Sequence, residues 1–331
     1  MCPIDGMKMP ATYYIDPSQN HYLKSYTSHI QVYLKSYMIP NRLHMGISDM
    51  MHQDGFFQSA HDTRIYYQNW LPESPSRGVL LLAHGLGEHS GRYMNLINHF
   101  VPMGYAVYGL DHVGHGKSDG ARKYADRFDD FIQPLKTYRE MIQQWQPDKP
   151  VFLIGHSMGG LISAIYLLDH QNGFNGAVLS GPSVQVPENI SASVIVIGKI
   201  LSLLMPKFGL IETIPQYVSR DPKVVQAYID DPLVYKGKTT ARLASEMLGA
   251  MQRVSREAFR ISLPILILQG GADRLVRPAG SRMLHDAVSS VDKKIKLYEG
   301  LYHEIYNEPE YHVVLQDVAK WIEAHLSSSQ L

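Results

Sequence analysis

Ser157 stands between two glycines at the end of a strongly apolar run, in the stretch VFLIGHSMGG at residues 151–160. The pattern Gly-x-Ser-x-Gly between a strand and a helix is the turn that exposes a nucleophilic serine at the carboxyl end of a buried sheet. The five residues alone can occur by chance, but here an apolar run precedes them and a helix-like stretch follows. The N-terminus of such a helix also favours negative charge near the serine. We therefore predict that Ser157 is a nucleophile.

A serine hydroxyl reacts readily only when a base takes its proton and a carboxylate orients that base. Downstream, the stretch ILILQGGADRLV places Asp273 just after one apolar strand, and KIKLYEGLYHEIYNEPE places His303 just after the next. Parallel strands end at the same edge of a sheet, so both side chains should lie near Ser157. Asp221 and Asp231 are rival acids, but no strand precedes them. We expect Ser157, Asp273 and His303 to form a catalytic triad rather than to be unrelated polar loop residues.

A serine nucleophile also needs hydrogen-bond donors for the negative oxygen that develops on its substrate. One donor should be the backbone N–H of Met158, directly after the nucleophile, and the other should come from the loop after an earlier strand. The stretch LLLAHGLGEHSGRY supplies that loop, in which Gly85 and Gly87 flank Leu86 and allow the backbone to approach a ligand closely. We expect the amides of Leu86 and Met158 to form the oxyanion hole.

The stretch DHVGHGKSDG at residues 111–120 superficially resembles a phosphate-binding loop, but a Walker motif needs glycine at position 111, which is aspartate. His112 and His115 lack the neighbouring residues of a metal-binding motif, so a turn-forming and supporting role is expected for them. No GxGxxG pattern follows a strand, which argues against a dinucleotide. The sequence therefore predicts neither a metal nor a cofactor.

Short aliphatic or β-branched runs alternate with helical stretches after residue 50. The predicted strands are Thr63–Trp70, Val79–Ala83, Tyr105–Leu110, Val151–Ile154, Ala177–Leu179, Ile265–Leu268 and Lys294–Tyr298. The predicted helices are Arg92–Met103, Asp126–Trp145, Met158–His170, Gly280–Ser289 and Glu308–Leu326. Several strands are continuously apolar, which is typical of parallel strands covered on both faces. The alternation predicts an α/β fold with a mostly parallel, doubly wound sheet.

The alternation of strands and helices divides the chain into three parts. Residues 51–183 and 263–331 carry the alternating pattern and should form the core. Residues 184–262 contain helix-like pieces without a strand run, and we expect them to be a cap or lid inserted over the strand ends. Residues 1–50 form a tyrosine-rich extension in which YLKSY occurs twice, eleven residues apart. That extension is either an amphipathic arm packed on the core or an arm that binds an unidentified partner or a membrane surface.

Composition excludes several classes of protein. The 331 residues include 31 Lys and Arg and 31 Asp and Glu, so no net charge favours nucleic acid. The single cysteine, Cys2, rules out an internal disulfide. No secretory signal is apparent, and the longest apolar stretch, residues 190–205, is shorter than the ~20 residues that span a bilayer. We expect a cytoplasmic or peripheral membrane protein.

Five stretches together resemble one family of enzymes. HGLGEHSGRY, DHVGHGKSDG, VFLIGHSMGG, LQGGADRLV and YEGLYHEIYNEP are similar, in order and spacing, to motifs of the monoacylglycerol lipases in the serine α/β-hydrolase superfamily. The resemblance covers about residues 52–325, including the inserted segment, and implies an α/β-hydrolase fold with a helical cap. It implies a triad and an oxyanion hole at the positions named above: Ser157, Asp273 and His303, with Leu86 and Met158.

The resemblance also implies a polar end of the site for the glycerol head of a substrate. Glu88, Arg92, His156 and Tyr228 match family positions that line this end. Hydroxyl groups of a glycerol need buried donors and acceptors if the pocket excludes water. For Glu88 and Arg92 a second role stays open, that of an ion pair which braces the oxyanion loop.

The resulting hypothesis is a serine hydrolase that cleaves monoacylglycerols to glycerol and free fatty acid through an acyl-enzyme. A lysophospholipase or a general carboxylesterase is the alternative among enzymes, and a non-catalytic lipid-binding or partner-binding module is the alternative outside them. The apolar helix at residues 190–205 would cover the acyl chain. Its outer face would either contact a lipid surface or be buried against the core.

Overall fold

The computed structural model describes residues 50–59, 62–186 and 191–326, and the tyrosine-rich arm at residues 1–49 lies outside the described residues. Ten strands occur in the described part: β1 Met50–Gln58, β2 Arg64–Pro72, β3 Gly78–Ala83, β4 Tyr105–Leu110, β5 Val151–His156, β6 Gly176–Ser180, β7 Gly209–Ile211, β8 Thr239–Thr240, β9 Ile265–Gly270 and β10 Lys293–Tyr298. Eight of these form one sheet in the order β1-β2-β4-β3-β5-β6-β9-β10. The pairs β1–β2 and β2–β4 are antiparallel and all other neighbours are parallel, which confirms the predicted mostly parallel sheet.

The helices lie between these strands. They are α1 Met94–Phe100, α2 Asp129–Trp145, α3 Met158–His170, α4 Ala192–Leu204, α5 Pro222–Asp230, α6 Ala241–Glu257, α7 Pro278–Ala287 and α8 Tyr311–His325. Each predicted helix is present within a few residues of its expected bounds. The first is shorter than expected, because a 3-10 turn at Ser90–Arg92 precedes α1.

Both faces of the sheet are covered by helices, which explains the continuously apolar strands. Successive side chains of a strand point to opposite faces. Leu81 therefore packs in the cluster that contains residues of α2 and α3, whereas Leu80 and Leu82 pack in the cluster that contains residues of α1 and α8. A strand buried on both sides has no exposed face that would favour polar residues.

The order of the strands creates a crevice between β3 and β5. From β3 the chain crosses to β4 on one side of it, and then returns to β5 on the other side. Strand ends at such a reversal leave room for a ligand beyond the carboxyl edge of the sheet. Ala83, the last residue of β3, is paired with Gly155 in β5, so the loop that contains Leu86 and the turn that contains Ser157 begin side by side.

Residues 184–262 contribute no strand to the large sheet within their described part. They carry α4, α5 and α6, and α6 packs on α3 of the core. The segment also holds a small sheet of β7 and β8, which was not predicted because strands of three and two residues leave no pattern. The role of this segment as a cap stays a prediction.

Strand β1 was also missed by the sequence analysis. It is an edge strand with partly exposed side chains, and Gly55 interrupts its apolar residues. Its structure comes from pairing with β2, a contact between segments that a local pattern does not record. Within the described residues, no helix is both long and apolar enough to cross a membrane.

Three buried histidines cluster where the loop after β3 begins: His84, His112 and His115. The backbone N–H of His112 donates to Nε2 of His84 at 2.9 Å, so the Nδ1–H of His84 is the donor to the carbonyl of Gly85 at 2.8 Å. The ring centroids of His84 and His115 lie 5.6 Å apart. Burial lowers the pKa of His84 and of His115 to about 3, and that of His112 well below its usual range. All three rings are therefore neutral at pH 7.

Acidification should destabilise the fold because of these histidines. Their pKa values are lowered in the folded state, so between about pH 6.5 and pH 3 the unfolded chain binds more protons and stability is lost as the pH falls. Each ring contributes up to about 1.4 kcal/mol per pH unit. Urea unfolding between pH 7.5 and pH 5 measures the slope. His115→Asn retains a donor for the carbonyl of Val113. It should reduce the pH dependence of the unfolding free energy by the amount that corresponds to about one proton.

The matched control is His312→Asn, because His312 is an exposed residue of α8. The unfolding free energy of the His312→Asn variant should depend on pH with the same slope as that of the wild type. A wild-type slope in the His115→Asn variant would contradict the assignment of acid sensitivity to the buried rings.

Candidate active site

Ser157 occupies a strained turn between β5 and α3. Its φ of 54° and ψ of −118° place a residue with a side chain in the left-handed region, which costs of order 1–3 kcal/mol. A Cβ atom at position 159 would lie 2.0 Å from the carbonyl oxygen of Ala83, so only glycine allows α3 to approach β3 this closely. At position 155 a Cβ atom would lie 2.4 Å from Oγ of Ser163. The two glycines therefore make the turn possible.

The end of β6 holds this turn in place. The backbone N–H of Ser157 donates to the carbonyl of Ser180 at 3.0 Å, and the carbonyl of Ser157 accepts from the N–H of Ser183 at 3.1 Å. These contacts fix the backbone on both sides of the strained residue. They leave the side chain of Ser157 on the wall of a cavity of about 490 Å³.

Asp273 and His303 follow β9 and β10, and the structure brings them together. Oδ2 of Asp273 accepts a hydrogen bond from Nδ1 of His303 at 2.7 Å. Oδ1 of Asp273 accepts from the backbone N–H groups of Leu275 and Val276 at 2.8 and 2.9 Å. A further donor, the side-chain amide of Gln269, lies 2.8 Å from Oδ2. The carboxylate is thus fully hydrogen-bonded, and its orientation is fixed by its neighbours.

The charges of this pair stabilise each other. Burial alone would raise the pKa of Asp273, but the His303 ring and the backbone donors outweigh burial and lower it. Burial alone would lower the pKa of His303, but the Asp273 carboxylate outweighs burial and raises it. Because Nδ1 of the ring faces Asp273, Nε2 is the atom available to a substrate or nucleophile. His303 lines the same cavity as Ser157.

The rival acids have other partners. Oδ2 of Asp231 lies 2.8 Å from Nε2 of His89, in the loop after β3. Oδ1 of Asp221 accepts from the backbone N–H of Lys223 and caps α5. Among the described acids, Asp273 is the one whose carboxylate contacts His303 within 4 Å.

The loop after β3 is held on both sides of Leu86. The backbone N–H of Gly85 donates to Oε1 of Glu88 at 2.6 Å. On the other side, the carbonyl of Gly87 accepts from the backbone N–H of Tyr235 at 2.8 Å, a residue of the inserted segment. Leu86 and Met158 both line the cavity next to Ser157. The structure therefore places the two residues whose amides were predicted to bind an oxyanion at one cavity wall.

The four residues predicted for the polar end differ in whether they line the cavity. Glu88, His156 and Tyr228 line the cavity, whereas Arg92 is not among the lining residues. Nη1 of Arg92 donates to Oε2 of Glu88 at 2.8 Å, so the ion pair that the sequence left open is present. The Arg92 guanidinium also lies 4.7 Å from the centre of the Tyr228 ring. Arg92 is thus a buried support for the other residues of this wall.

Glu304 was missed by the sequence analysis. Its two carboxylate oxygens accept from Nη1 and Nη2 of Arg92 at 2.6 and 2.9 Å, and the residue lines the cavity. Burial alone would raise the pKa of Glu304, but Arg92 outweighs burial and lowers it to about 2. The available signal was its position directly after His303, in the loop that follows β10. Nothing local indicated its partner, which lies 212 residues away in the chain.

Two neutral polar groups complete this wall. The hydroxyl of Tyr228 is buried and has no hydrogen-bond partner among the described residues. A buried donor without a partner costs free energy, so this hydroxyl is suited to a ligand oxygen. Burial lowers the pKa of His156 to about 3, which keeps its ring neutral beside that of His303, at 4.7 Å between centroids. Among the described residues, no group of three or more His, Cys, Asp or Glu is arranged to hold a metal ion.

The rest of the cavity is largely apolar and is formed mostly by the inserted segment, although Lys199 and Glu212 of that segment also line it. Its apolar lining there includes Val194, Ile195, Leu210, Ile214, Met247, Leu248 and Met251. Helix α4 contributes to this lining and also carries strongly exposed apolar side chains: Leu203 is 73% exposed and Leu204 is 77% exposed. The cavity therefore joins a polar wall at Ser157 to an apolar region beneath an apolar surface.

Replacing the acid of the Asp273–His303 pair should shift the titration of the ring. In Asp273→Asn the carboxylate charge that raises the pKa of His303 is absent, while the burial that lowers it remains. The pKa of His303 should therefore fall relative to the wild type. NMR titration of the imidazole signals measures the change.

Asp231→Asn is the matched control, because it removes a carboxylate that pairs with a different histidine, His89. It should leave the His303 titration in place. If both variants shift the His303 signal equally, Asp273 has no special role at this ring.

The chain is similar to known proteins over most of its length. A family model described as serine aminopeptidase, S33, matches residues 74–310. A monoacylglycerol lipase of Mycolicibacterium smegmatis is 40% identical over 82% of this chain and 96% of its own length, and the monoglyceride lipase of Mus musculus is 35% identical over 82% and 90%. The crystal structure of the monoacylglycerol lipase of Paleococcus ferrophilus matches with a TM-score of 0.71 at 33% identity, over 79% of this chain and 99% of that one. The chain belongs to the monoacylglycerol lipase family of the serine α/β-hydrolase superfamily.

Proposed function

We propose that this protein is a carboxylic ester hydrolase that cleaves monoacylglycerols to glycerol and free fatty acid through an acyl-enzyme on Ser157. The observation that carries the proposal is the Asp273–His303 pair, joined at 2.7 Å, on the same cavity as the strained serine turn. The names of its relatives support the choice of monoacylglycerol as the substrate.

The first half of the reaction forms the acyl-enzyme. Oγ of Ser157 attacks the ester carbonyl carbon while Nε2 of His303 takes the hydroxyl proton. The carboxylate of Asp273 stabilises the imidazolium that results. The negative charge on the carbonyl oxygen is bound by the backbone N–H groups of Leu86 and Met158, and the N-terminus of α3 adds a favourable dipole. Each such donor contributes about 3–4 kcal/mol to transition-state stabilisation.

The second half releases the products. The tetrahedral intermediate collapses, the bond between the carbonyl carbon and the glycerol oxygen breaks, and the leaving oxygen takes the proton from His303. A water molecule then attacks the acyl-enzyme and gives its proton to the same ring. The ester bond to Ser157 breaks, Oγ regains the proton, and the fatty acid leaves. Every proton in this cycle moves between substrate, water, Ser157 and His303, so the proposed reaction uses no cofactor.

The cavity fits the two ends of such a substrate. The glycerol hydroxyls face a wall of hydrogen-bonding groups. It includes the hydroxyl of Tyr228, which no described residue contacts by a hydrogen bond, and the carboxyl groups of Glu88 and Glu304. The acyl chain occupies the apolar region, where each buried CH₂ contributes about 0.8 kcal/mol. Residues 184–262 supply most of that apolar lining, and we assign them the role of a cap.

The outer face of α4 is suited to contact a lipid surface. Ile197, Ile200, Leu203 and Leu204 are all more than half exposed, and Val194 of the same helix lines the cavity. An exposed apolar patch of this kind marks a membrane or protein contact more often than it occurs without function. A monoacylglycerol is poorly soluble and resides in lipid, so docking by α4 would place the cavity close to its substrate.

Removing the proposed nucleophile should abolish hydrolysis. Ser157→Ala should lower kcat for 1-oleoylglycerol by roughly 10⁶-fold and abolish labelling by a fluorophosphonate, because the variant lacks the oxygen that forms the acyl-enzyme. Release of oleate and gel-based labelling measure the two effects. Ser163→Ala removes a serine inside α3, six residues after Ser157, and should label like the wild type. Undiminished turnover in Ser157→Ala would end the proposal.

Removing two exposed leucines from α4 should weaken membrane binding. The double change Leu203→Ser and Leu204→Ser should reduce binding to phosphatidylcholine vesicles by roughly tenfold or more, because each leucine contributes about 1.5 kcal/mol when it enters lipid. Vesicle flotation measures binding, and hydrolysis of dispersed p-nitrophenyl butyrate checks that the active site is intact. Val291→Ser, at a fully exposed residue before β10, is the control. Equal flotation of all three proteins would contradict the docking role.

A further inference from the structure

Two carboxylates share one guanidinium at the polar end of the cavity. Arg92 contacts Glu88 with Nη1 and Glu304 with both Nη1 and Nη2. The side chains of all three residues are less than 10% exposed. Water and salt therefore screen these charges only weakly. Both acids line the cavity, whereas the guanidinium between them does not. Burial raises the pKa of Glu88, whereas Arg92 outweighs burial at Glu304 and lowers its pKa to about 2, so Glu304 carries the negative charge at this wall.

The positive charge of Arg92 is fully engaged by its neighbours. Glu304 accepts hydrogen bonds from both terminal nitrogens of the guanidinium, which is the strong bidentate geometry of such a pair. The aromatic ring of Tyr228 lies against the guanidinium. Oε2 of Glu304 also accepts from the side-chain amide of Asn307 at 3.0 Å, which fixes the carboxylate in this orientation. A negatively charged ligand would find no unpaired cation among these residues.

Two cationic side chains that do line the cavity are exposed. Lys199 lies on α4, and Arg274 lies between the rings of Tyr217 and Tyr302, 5.4 Å from each centre. Both side chains reach solvent, so water and salt weaken their attraction for an anion. The buried end near His303 thus combines the Glu304 carboxylate with Glu88 and with the neutral groups of His156 and Tyr228.

We propose that Glu304 is a specificity-determining residue that selects a neutral glycerol head and rejects ester substrates whose head carries a phosphate. Its carboxylate saturates Arg92 and repels a second negative charge in a buried setting. Neutral hydroxyls can donate to the carboxylates and accept from Tyr228, so they meet complementary groups. The inference rests on the proposed hydrolase function and adds the head-group class to it.

The test compares two lipids that differ in a phosphate. Values of kcat/KM are measured for 1-oleoylglycerol and 1-oleoyl lysophosphatidic acid in the same uncharged detergent micelles. The wild type should prefer the neutral lipid. Glu304→Gln removes the charge but keeps the shape, and it should raise the ratio of phosphate lipid to neutral lipid by tenfold or more, mainly through KM of the phosphate lipid.

Two further variants separate charge from structure. Glu304→Asp keeps a carboxylate and should retain most of the wild-type discrimination. Glu212→Gln removes an exposed carboxylate that lines the same cavity but makes no ion pair with Arg92, so its ratio should equal that of the wild type. A Glu304→Gln variant that loses activity on both lipids equally would show that Glu304 only braces Arg92, and would overturn the proposal.

A measurement on the wild type tests the preference for a neutral head group even if the Glu304→Gln variant does not fold. The ethers 1-O-octylglycerol and its 3-phosphate cannot be hydrolysed and serve as inhibitors of p-nitrophenyl butyrate hydrolysis. The neutral ether should inhibit at least tenfold more strongly than the phosphate. Equal or stronger inhibition by the phosphate would overturn the role of Glu304. A wild type that hydrolyses neither oleoyl lipid would instead contradict the proposed function, and the inhibitor comparison would still test Glu304.

Discussion

The close approach of α3 to the end of β3 is the constraint on which the site depends. Gly159 lies against the carbonyl of Ala83, where no side chain could fit. This contact brings the start of α3 at Met158 against the end of β3, where the loop that contains Leu86 begins, although the two residues belong to different strand-to-helix connections. It also requires the sharp turn that forces Ser157 into the left-handed region. The strained turn at Ser157 thus accompanies packing that brings Leu86 and Met158, whose amides we propose as the oxyanion donors, to the same cavity as the proposed nucleophile.

Two buried ionic groups share one short loop after β10. His303 contacts Asp273, and the next residue, Glu304, contacts Arg92. The first pair raises the pKa of the ring that we propose as the base, while the second sets the charge at the wall that we propose for the substrate head. We therefore propose two functions for neighbouring residues of this loop, proton transfer at His303 and head-group selection at Glu304. Since Arg92 also pairs with Glu88, and Glu88 holds the N–H of Gly85, the same network reaches the loop of Leu86.

Polar contacts join the inserted segment to the loops of the core. Tyr235 donates to the carbonyl of Gly87, and Asp231 pairs with His89. Nζ of Lys123, a buried residue, donates to Thr213 and to the carbonyl of Gly237 at 3.2 and 3.0 Å. Burial lowers the pKa of Lys123 to about 8. These contacts explain how a segment that provides apolar lining also helps to position the loop next to Ser157.

The sequence by itself determined the local elements of this protein. Continuous apolar runs identified the strands because both faces of the sheet are covered, and the order of Ser157, Asp273 and His303 after three such runs placed them at one edge. It did not reveal β1, β7 and β8, since an edge strand and very short strands have weak patterns. Only the tertiary structure decided that Arg92 serves Glu304 as well as Glu88, and that the Tyr228 hydroxyl has no partner in the described chain. The physical reason is that apolar periodicity reports burial along one segment, whereas pairing of buried polar groups depends on which distant segments meet.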